Sequence, residues 1–143
     1  TITFQFAKIF TLKSSIQNKS RDFAIRIIKC YNFLLETRHE HIMSKQLLRC
    51  GTSIGANTRE SKNAQSRMDF LSKLNIALKE ADETEYWLDL LHETGYLDDS
   101  QFHSLQSDCK ELIAILVSII KTLKETPEKK KLLSLFNFHF SIK

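Results

Sequence analysis

The stretch Arg49-Cys50-Gly51-Thr52-Ser53-Ile54-Gly55-Ala56-Asn57, with Glu60 three residues on, and the run Ala77-Leu78-Lys79-Glu80-Ala81 leading into Glu83-Thr84-Glu85-Tyr86-Trp87-Leu88 decide the fold. Both read as helix. In the first, two glycines stand four residues apart, and each costs about 1 kcal/mol against alanine in a helix interior. Their cause therefore lies outside the helix: a second helix comes too close for a side chain.

The rest of the chain agrees with long helices. Only three Gly and one Pro occur in 143 residues, and Pro127 lies near the end, so little punctuates the first hundred residues. With 42% hydrophobic and 27% charged residues, the chain reads as one soluble domain with a core large enough to fold without staples. Upstream of the glycines, Phe23, Ile27, Ile28, Tyr31, Leu34 and Leu35 recur at helical spacing behind a polar cap at Asn18 or Ser20, which predicts a first helix over about residues 19–38. The second begins near Ser44, carries Leu47, Leu48, Gly51, Ile54, Thr58 and Ser61 on one face, and ends between Asn63 and Ser66. The third uses Phe70, Leu74, Ala77, Ala81, Trp87, Leu88 and Leu91 and stops at Gly95, a residue suited to the left-handed position after a helix. Asp98 to Ser100 cap a fourth, whose stripe runs from Phe102 through Cys109 and Leu116 to Leu123 before Thr126-Pro127.

Four such helices with short connections pack most simply as an all-α, up-down-up-down antiparallel four-helix bundle. It is expected over residues 18–125, between an N-terminal extension (1–17) and a C-terminal tail (126–143). In the ends, Ile2, Phe4, Phe6 and Phe136, Phe138, Phe140, Ile142 alternate with period two, which suits strands. Two readings stand for them: short terminal strands that pair, or tails outside the fold.

Net charge is +4, but it is unevenly spread. From Glu80 to Asp99 there are eight acids and no Lys or Arg, whereas Lys45 to Lys79 holds seven bases against Glu60 and Asp69. The up-down order gathers Lys19, Arg21, Arg26, Arg59, Lys62, Arg67, Lys73, Lys121 and Lys124 at one pole and the acids at the other. Clustered bases suit phosphate backbones, and no aromatic platform or base-reading motif accompanies them.

Several chemistries are excluded. Cys30, Cys50 and Cys109 lack metal or redox spacing and read as reduced core thiols of a cytoplasmic protein. No apolar run is long enough to span a bilayer, and the start lacks a signal peptide's order. Ferritin-like di-iron sites need paired Glu-x-x-His motifs; Glu36 and His39 form one at a helix end without a second copy. The glycines lack the Lys-Ser/Thr of a phosphate loop, and Ser53 and Cys50 have no motif-spaced base. No enzyme, metal, cofactor or small-molecule substrate is expected.

The two opening stretches also resemble the bacterial four-helix bundle proteins encoded in 23S rRNA intervening sequences. The likeness rests on Arg49-x-Gly51-Thr52-Ser53-Ile54-Gly55-Ala56-Asn57-x-x-Glu60, on Asp69-Phe70, and on Ala77-Leu78-Lys79-Glu80-Ala81-x-Glu83-Thr84-Glu85-Tyr86-Trp87-Leu88, and it covers about residues 18–125. It implies a homopentameric ring, similar to the accessory variability determinant of diversity-generating retroelements, a basic barrel that binds nucleic acid and a reverse transcriptase.

The functional expectation is a non-enzymatic, oligomeric bundle whose basic pole contacts RNA through Lys19, Arg21, Arg59, Lys62, Arg67 and Lys73. Arg49, Gly51, Ser53, Gly55, Asn57, Glu60, Glu80, Glu83 and Trp87 are expected to serve helix packing or assembly, with hydrogen bonds from the third helix satisfying the polar stripe of the second. The alternative is a protein-interaction scaffold that binds no nucleic acid.

Overall fold

The computed structural model describes residues 2–124. Four helices make up the fold: α1 (Ile2–Glu36), α2 (Met43–Ser61), α3 (Arg67–Glu93) and α4 (Asp99–Lys124). Each packs closely against two neighbours in the closed order α1, α2, α3, α4, while the diagonal backbones stay apart and side chains such as Lys13 of α1, over the Phe70 ring of α3, meet across the centre. This is the all-α up-down-up-down bundle.

The buried positions explain why these residues pack this way. On α1 they are Ile9, Lys13, Ile16, Ser20, Phe23, Ile27, Cys30 and Leu34; on α2, Ser44, Leu47, Cys50, Gly51, Ile54, Thr58 and Ser61. On α3 they are Phe70, Leu74, Ala77, Ala81, Thr84, Leu88 and Leu91. On α4, Leu105, Cys109, Leu112, Leu116, Ile119 and Leu123 follow the same rule. Apart from Cys50 and Ile120, which widen the buried face beside Gly51 and Ile119, each set steps alternately by three and four residues, the 3.5-residue period of a left-handed supercoiled bundle.

That seam corrects the reading of the N-terminus. Phe6 and Ile9 continue it in front of Lys13 and Ile16, so the first helix begins at Ile2, not near residue 19. The alternation of Ile2, Phe4 and Phe6 is no strand. A lone strand would leave its backbone unpaired, whereas the helix satisfies it internally and buries Ile9 and Ile16. The C-terminal alternation from Phe136 to Ile142 lies outside the described residues.

The connections use local chemistry. Ser66 caps α3 by accepting from Asp69 N at 3.0 Å. After α3, Gly95 adopts φ 84°, and Tyr96 N donates back to Leu91 O at 2.8 Å. Asp98 and Gln101 form a reciprocal capping box on α4, Gln101 N donating to Asp98 Oδ1 at 2.7 Å and Asp98 N to Gln101 Oε1 at 3.0 Å.

The cap of α2 is a carboxylate. Glu40, 7% exposed, accepts from Ile42 N and Met43 N at 3.0 Å each and from Ser44 N at 2.6 Å. Ser44 Oγ donates in turn to Glu40 O at 2.7 Å. Burial pushes the Glu40 pKa up, but the backbone bonds from Ser44, Met43 and Ile42 and the Ser44 side chain together outweigh it and hold it below the ordinary value. A negative charge at a helix N-terminus also meets the positive end of the helix dipole.

The glycines mark where α1 and α2 approach. A Cβ at Gly51 would stand 2.8 Å from Ile27 Cγ1 and 2.9 Å from Cγ2; one at Gly55 would meet the Ser20 carbonyl oxygen at 3.2 Å. Ile27 Cγ1 and Cγ2 are bonded to Cβ and cannot swing away alone. Gly51→Ala is therefore expected to destabilise the fold by about 1–2 kcal/mol, overpacking outweighing the gain in helix propensity. Urea denaturation of Gly51→Ala, Ile27→Ala and the double variant checks this: the double should lose about 1 kcal/mol less than the sum. Glu40→Gln is expected to cost about 1–2 kcal/mol at pH 7. Because the folded pKa is depressed, Glu40 stabilises above its unfolded value of about 4.3 and that contribution is lost as pH falls through the folded value. The gap between wild type and Glu40→Gln should therefore narrow in urea titrations repeated toward pH 3.

Candidate nucleic-acid and assembly surfaces

The hydroxyls and the amide of the α2 polar stripe bond within their own helix. Ser53 Oγ donates to Arg49 O at 2.6 Å, Thr58 Oγ1 to Ile54 O at 2.7 Å, Ser61 Oγ to Thr58 O at 2.6 Å, and Asn57 Nδ2 to Ser53 O at 2.9 Å. These bonds run back to the same helix, so the expected donors on α3 are not what satisfies the hydroxyls. One clasp that the spacing did not reveal crosses from α1: Gln17 Nε2 donates to Thr58 O at 2.7 Å. Gln17 stands just before the predicted first helix, so nothing in that pattern singled it out.

Between α2 and α3 the charged residues do meet. Arg49 Nη1 lies 3.3 Å from Glu80 Oε2, Arg49 Nη2 also pairs with Glu83, and Trp87 Nε1 donates to Glu83 Oε1 at 3.2 Å. Two turns away Lys73 Nζ binds Glu60 Oε2 at 2.9 Å, a bond that raises the Lys73 pKa. Arg49, Ser53, Ala56 and Glu60 step by four, three and four along α2, so they share this outer face. It is small in its middle and carries the Arg49 and Lys73 ion pairs. Exposed ion pairs of this kind add only about 0–1 kcal/mol each.

The predicted basic residues divide into two groups. Since α1 starts at Ile2, Lys19, Arg21 and Arg26 stand along the bundle and not at the start of its first helix. Lys19 pairs with Glu111, and Arg26 binds Asp108 Oδ2 at 2.5 Å and Ser104 Oγ at 2.7 Å, tying α1 to α4. Arg59 and Lys62 follow Gly55 by four and seven residues, which puts them on the side of α2 turned to α1. Arg21 follows Gln17 by four and borders the same seam. Arg59 and Lys62 are exposed and have no ion pair with another described residue, and Arg21 has only a loose one, 3.9 Å from Asp22. Arg67 is half-buried at the first residue of α3. Lys121 and Lys124 occupy the last turn of α4, where the dipole favours cations.

The candidate nucleophiles are quiet. Cys30, Cys50 and Cys109 are free and buried; burial pushes the Cys30 and Cys50 thiols up to about 11 and raises that of Cys109 further, so none supplies thiolate at neutral pH. Cys30 faces an open cleft of about 410 Å³ between α1 and α4, with Phe33, Leu97 and Leu105 around it. Among the described residues no group of three or more His, Cys, Asp or Glu could hold a metal ion, and no helix is long and apolar enough to cross a membrane.

Comparison with known proteins places this architecture. The chain is similar to a crystallised protein of unknown function from the S23 ribosomal protein family of Bacteroides thetaiotaomicron, with 54% identity over 78% of this chain and 99% of that one and a TM-score of 0.77. No curated protein matches it. The model of the 23S rRNA-intervening sequence protein family matches residues 13–118, a span that holds the glycine stretch, the Arg49 to Trp87 network and most of all four helices, and the chain belongs to that family.

Proposed function

We propose that this protein is a non-catalytic, homo-oligomeric bundle of the cytoplasm that contacts RNA phosphates through the outer face of α1 and α2. The observation that carries this reading is the contrast in charge compensation. Lys19, Arg26, Arg49 and Lys73 are taken up by carboxylates, whereas Arg59 and Lys62 face solvent on one seam without an acid, with Arg21 beside them. Cations left uncompensated on one face are what a polyanion would neutralise. Family membership and the net charge of +4 support the same reading, and the buried free thiols fit a reducing compartment.

Assembly belongs to the opposite seam. The α2–α3 face, with Arg49, Ser53, Asn57 and Glu60 beside Glu80, Glu83 and Trp87, offers small residues against which a second copy can close, and a pentameric ring is the state proposed. A protein-only scaffold is the competing reading, favoured by the compensated charges of that same face.

Filter binding of structured RNA in rising salt separates the two. Affinity should fall steeply with salt, and the triple variant Arg21→Ser, Arg59→Ser, Lys62→Ser should lower the log–log slope by about 2–3, at 0.7–0.9 per lost phosphate contact. Lys19→Ser with Lys73→Ser should change it less. No affinity at low salt, or none that responds to salt, leaves the scaffold. Separately, Ala56→Arg, an exposed change on the α2–α3 face, should reduce the mass seen by light scattering to that of a monomer while the helical circular dichroism is kept.

A further inference from the structure

The glycines let α1 lie close on α2, and on its other side α1 keeps more distance: α1 and α4 are the least closely packed of the four adjacent pairs. Long polar side chains span that gap. Arg26 reaches Asp108 and Ser104, and Lys19 reaches Glu111. From Arg26 toward the α3–α4 connection the gap widens into the cleft of about 410 Å³. Its volume lies within the roughly 300–1,000 Å³ of sites that take small molecules.

The lining of the cleft is divided. Phe33, Leu97 and Leu105 give it an apolar wall, whereas Arg26, Lys29 and Gln101 bring polar groups. No Asp or Glu lines it. Arg26 is already held, its guanidinium bound to Asp108 Oδ2. Lys29, one turn on along α1, is exposed and has no ion pair with another described residue. Gln101 Oε1 accepts from Asp98 N at 3.0 Å, which leaves Nε2 of the same amide as a donor, and that nitrogen has no acceptor among the described residues. An ammonium and an amide donor without a facing carboxylate, set beside an apolar wall, are the two halves of a site for an amphiphilic anion.

The size and charge of the site narrow the ligand. One uncompensated ammonium matches a head of one negative charge, and a carboxylate can accept from both Lys29 and Gln101. At about 30 Å³ for each water-sized atom, the cleft holds on the order of a dozen heavy atoms. That is a carboxylate with a chain of medium length.

We propose that the α1–α4 cleft binds one medium-chain carboxylate per chain, its apolar body on Phe33, Leu97 and Leu105 and its head on Lys29 and Gln101. The site lies apart from the α1–α2 seam and from the α2–α3 face, so it rests neither on RNA contact nor on assembly.

Calorimetric titration of the full chain with decanoate, decanol and decyltrimethylammonium tests this. Decanoate should bind saturably at one per chain, with decanol and the cation at least about 10-fold weaker, and Lys29→Glu, a change at an exposed residue, should weaken decanoate by about 10-fold or more. Lys110→Glu, an exposed lysine of α4 outside the cleft, should leave it unchanged. Cys30 also lines the cleft, so its alkylation by N-ethylmaleimide, followed at its own peptide, should slow along the same binding curve. Four results overturn the proposal: no saturable binding of decanoate, decanol binding as tightly, preference for the cation, or indifference to Lys29→Glu. An unaltered rate at Cys30 overturns it as well, because the ligand then sits elsewhere.

Discussion

Everything on the α1–α2 side of this bundle depends on how near the two helix backbones come. At Gly55 the opposing group is a main-chain carbonyl, that of Ser20, and at Gly51 it is the pair of γ-carbons of Ile27. Helices this close leave no room for large side chains along the seam. Ser20, Thr58 and Ser61 fill it instead. Small polar residues buried in this way need acceptors at hand, and the carbonyls one turn back are the nearest. The Thr58 carbonyl left on the seam is taken by Gln17. A line of glycines, hydroxyls and one amide is thus a single packing solution and not a set of separate signals.

The two long faces of α2 divide the labour by charge. Toward α3, Arg49 pairs with Glu80 and Glu83, and Lys73 with Glu60. Such a face has little long-range field and is suited to close apposition with another protein surface. Toward α1, bases stand without acids and project a field that reaches about a Debye length, roughly 8 Å at physiological salt. One helix thereby separates a short-range surface from a long-range one.

The fold was legible because the core repeats strictly. Leu74, Ala77, Ala81, Leu88 and Leu91 on α3, or Leu112, Leu116 and Leu123 on α4, declare a helix from spacing alone, and Gly95 and Asp98 punctuate it. The N-terminal helix was obscured because Ile2, Phe4 and Phe6 satisfy a period of two over five residues, while the competing seam runs through Lys13 and Ser20, polar residues that a hydrophobic reading discounts. Glu40 escaped for a related reason. A glutamate two residues before a helix carries no spacing signal, and only the three backbone amides around it reveal a cap. The basic residues were individually visible, but their division into compensated and uncompensated sets was not. That depends on cross-helix register, such as Lys19 against Glu111, which composition does not encode.

The three thiols have a consequence for how the molecule's motions can be followed. Cys30, Cys50 and Cys109 lie on three different helices, α1, α2 and α4; Cys30 borders the open α1–α4 cleft, whereas Cys50 and Cys109 are fully shielded from solvent. Cys109 donates to Ala81 O at 3.3 Å and Cys50 to Leu47 O at 3.6 Å, so each is held in place as well as hidden. A thiol reagent reaches them only when the local packing opens, and the rate of its reaction then reports the free energy of that opening. The bundle carries, in effect, two internal clocks, on α2 and α4, and the order in which they run would trace how the structure comes apart.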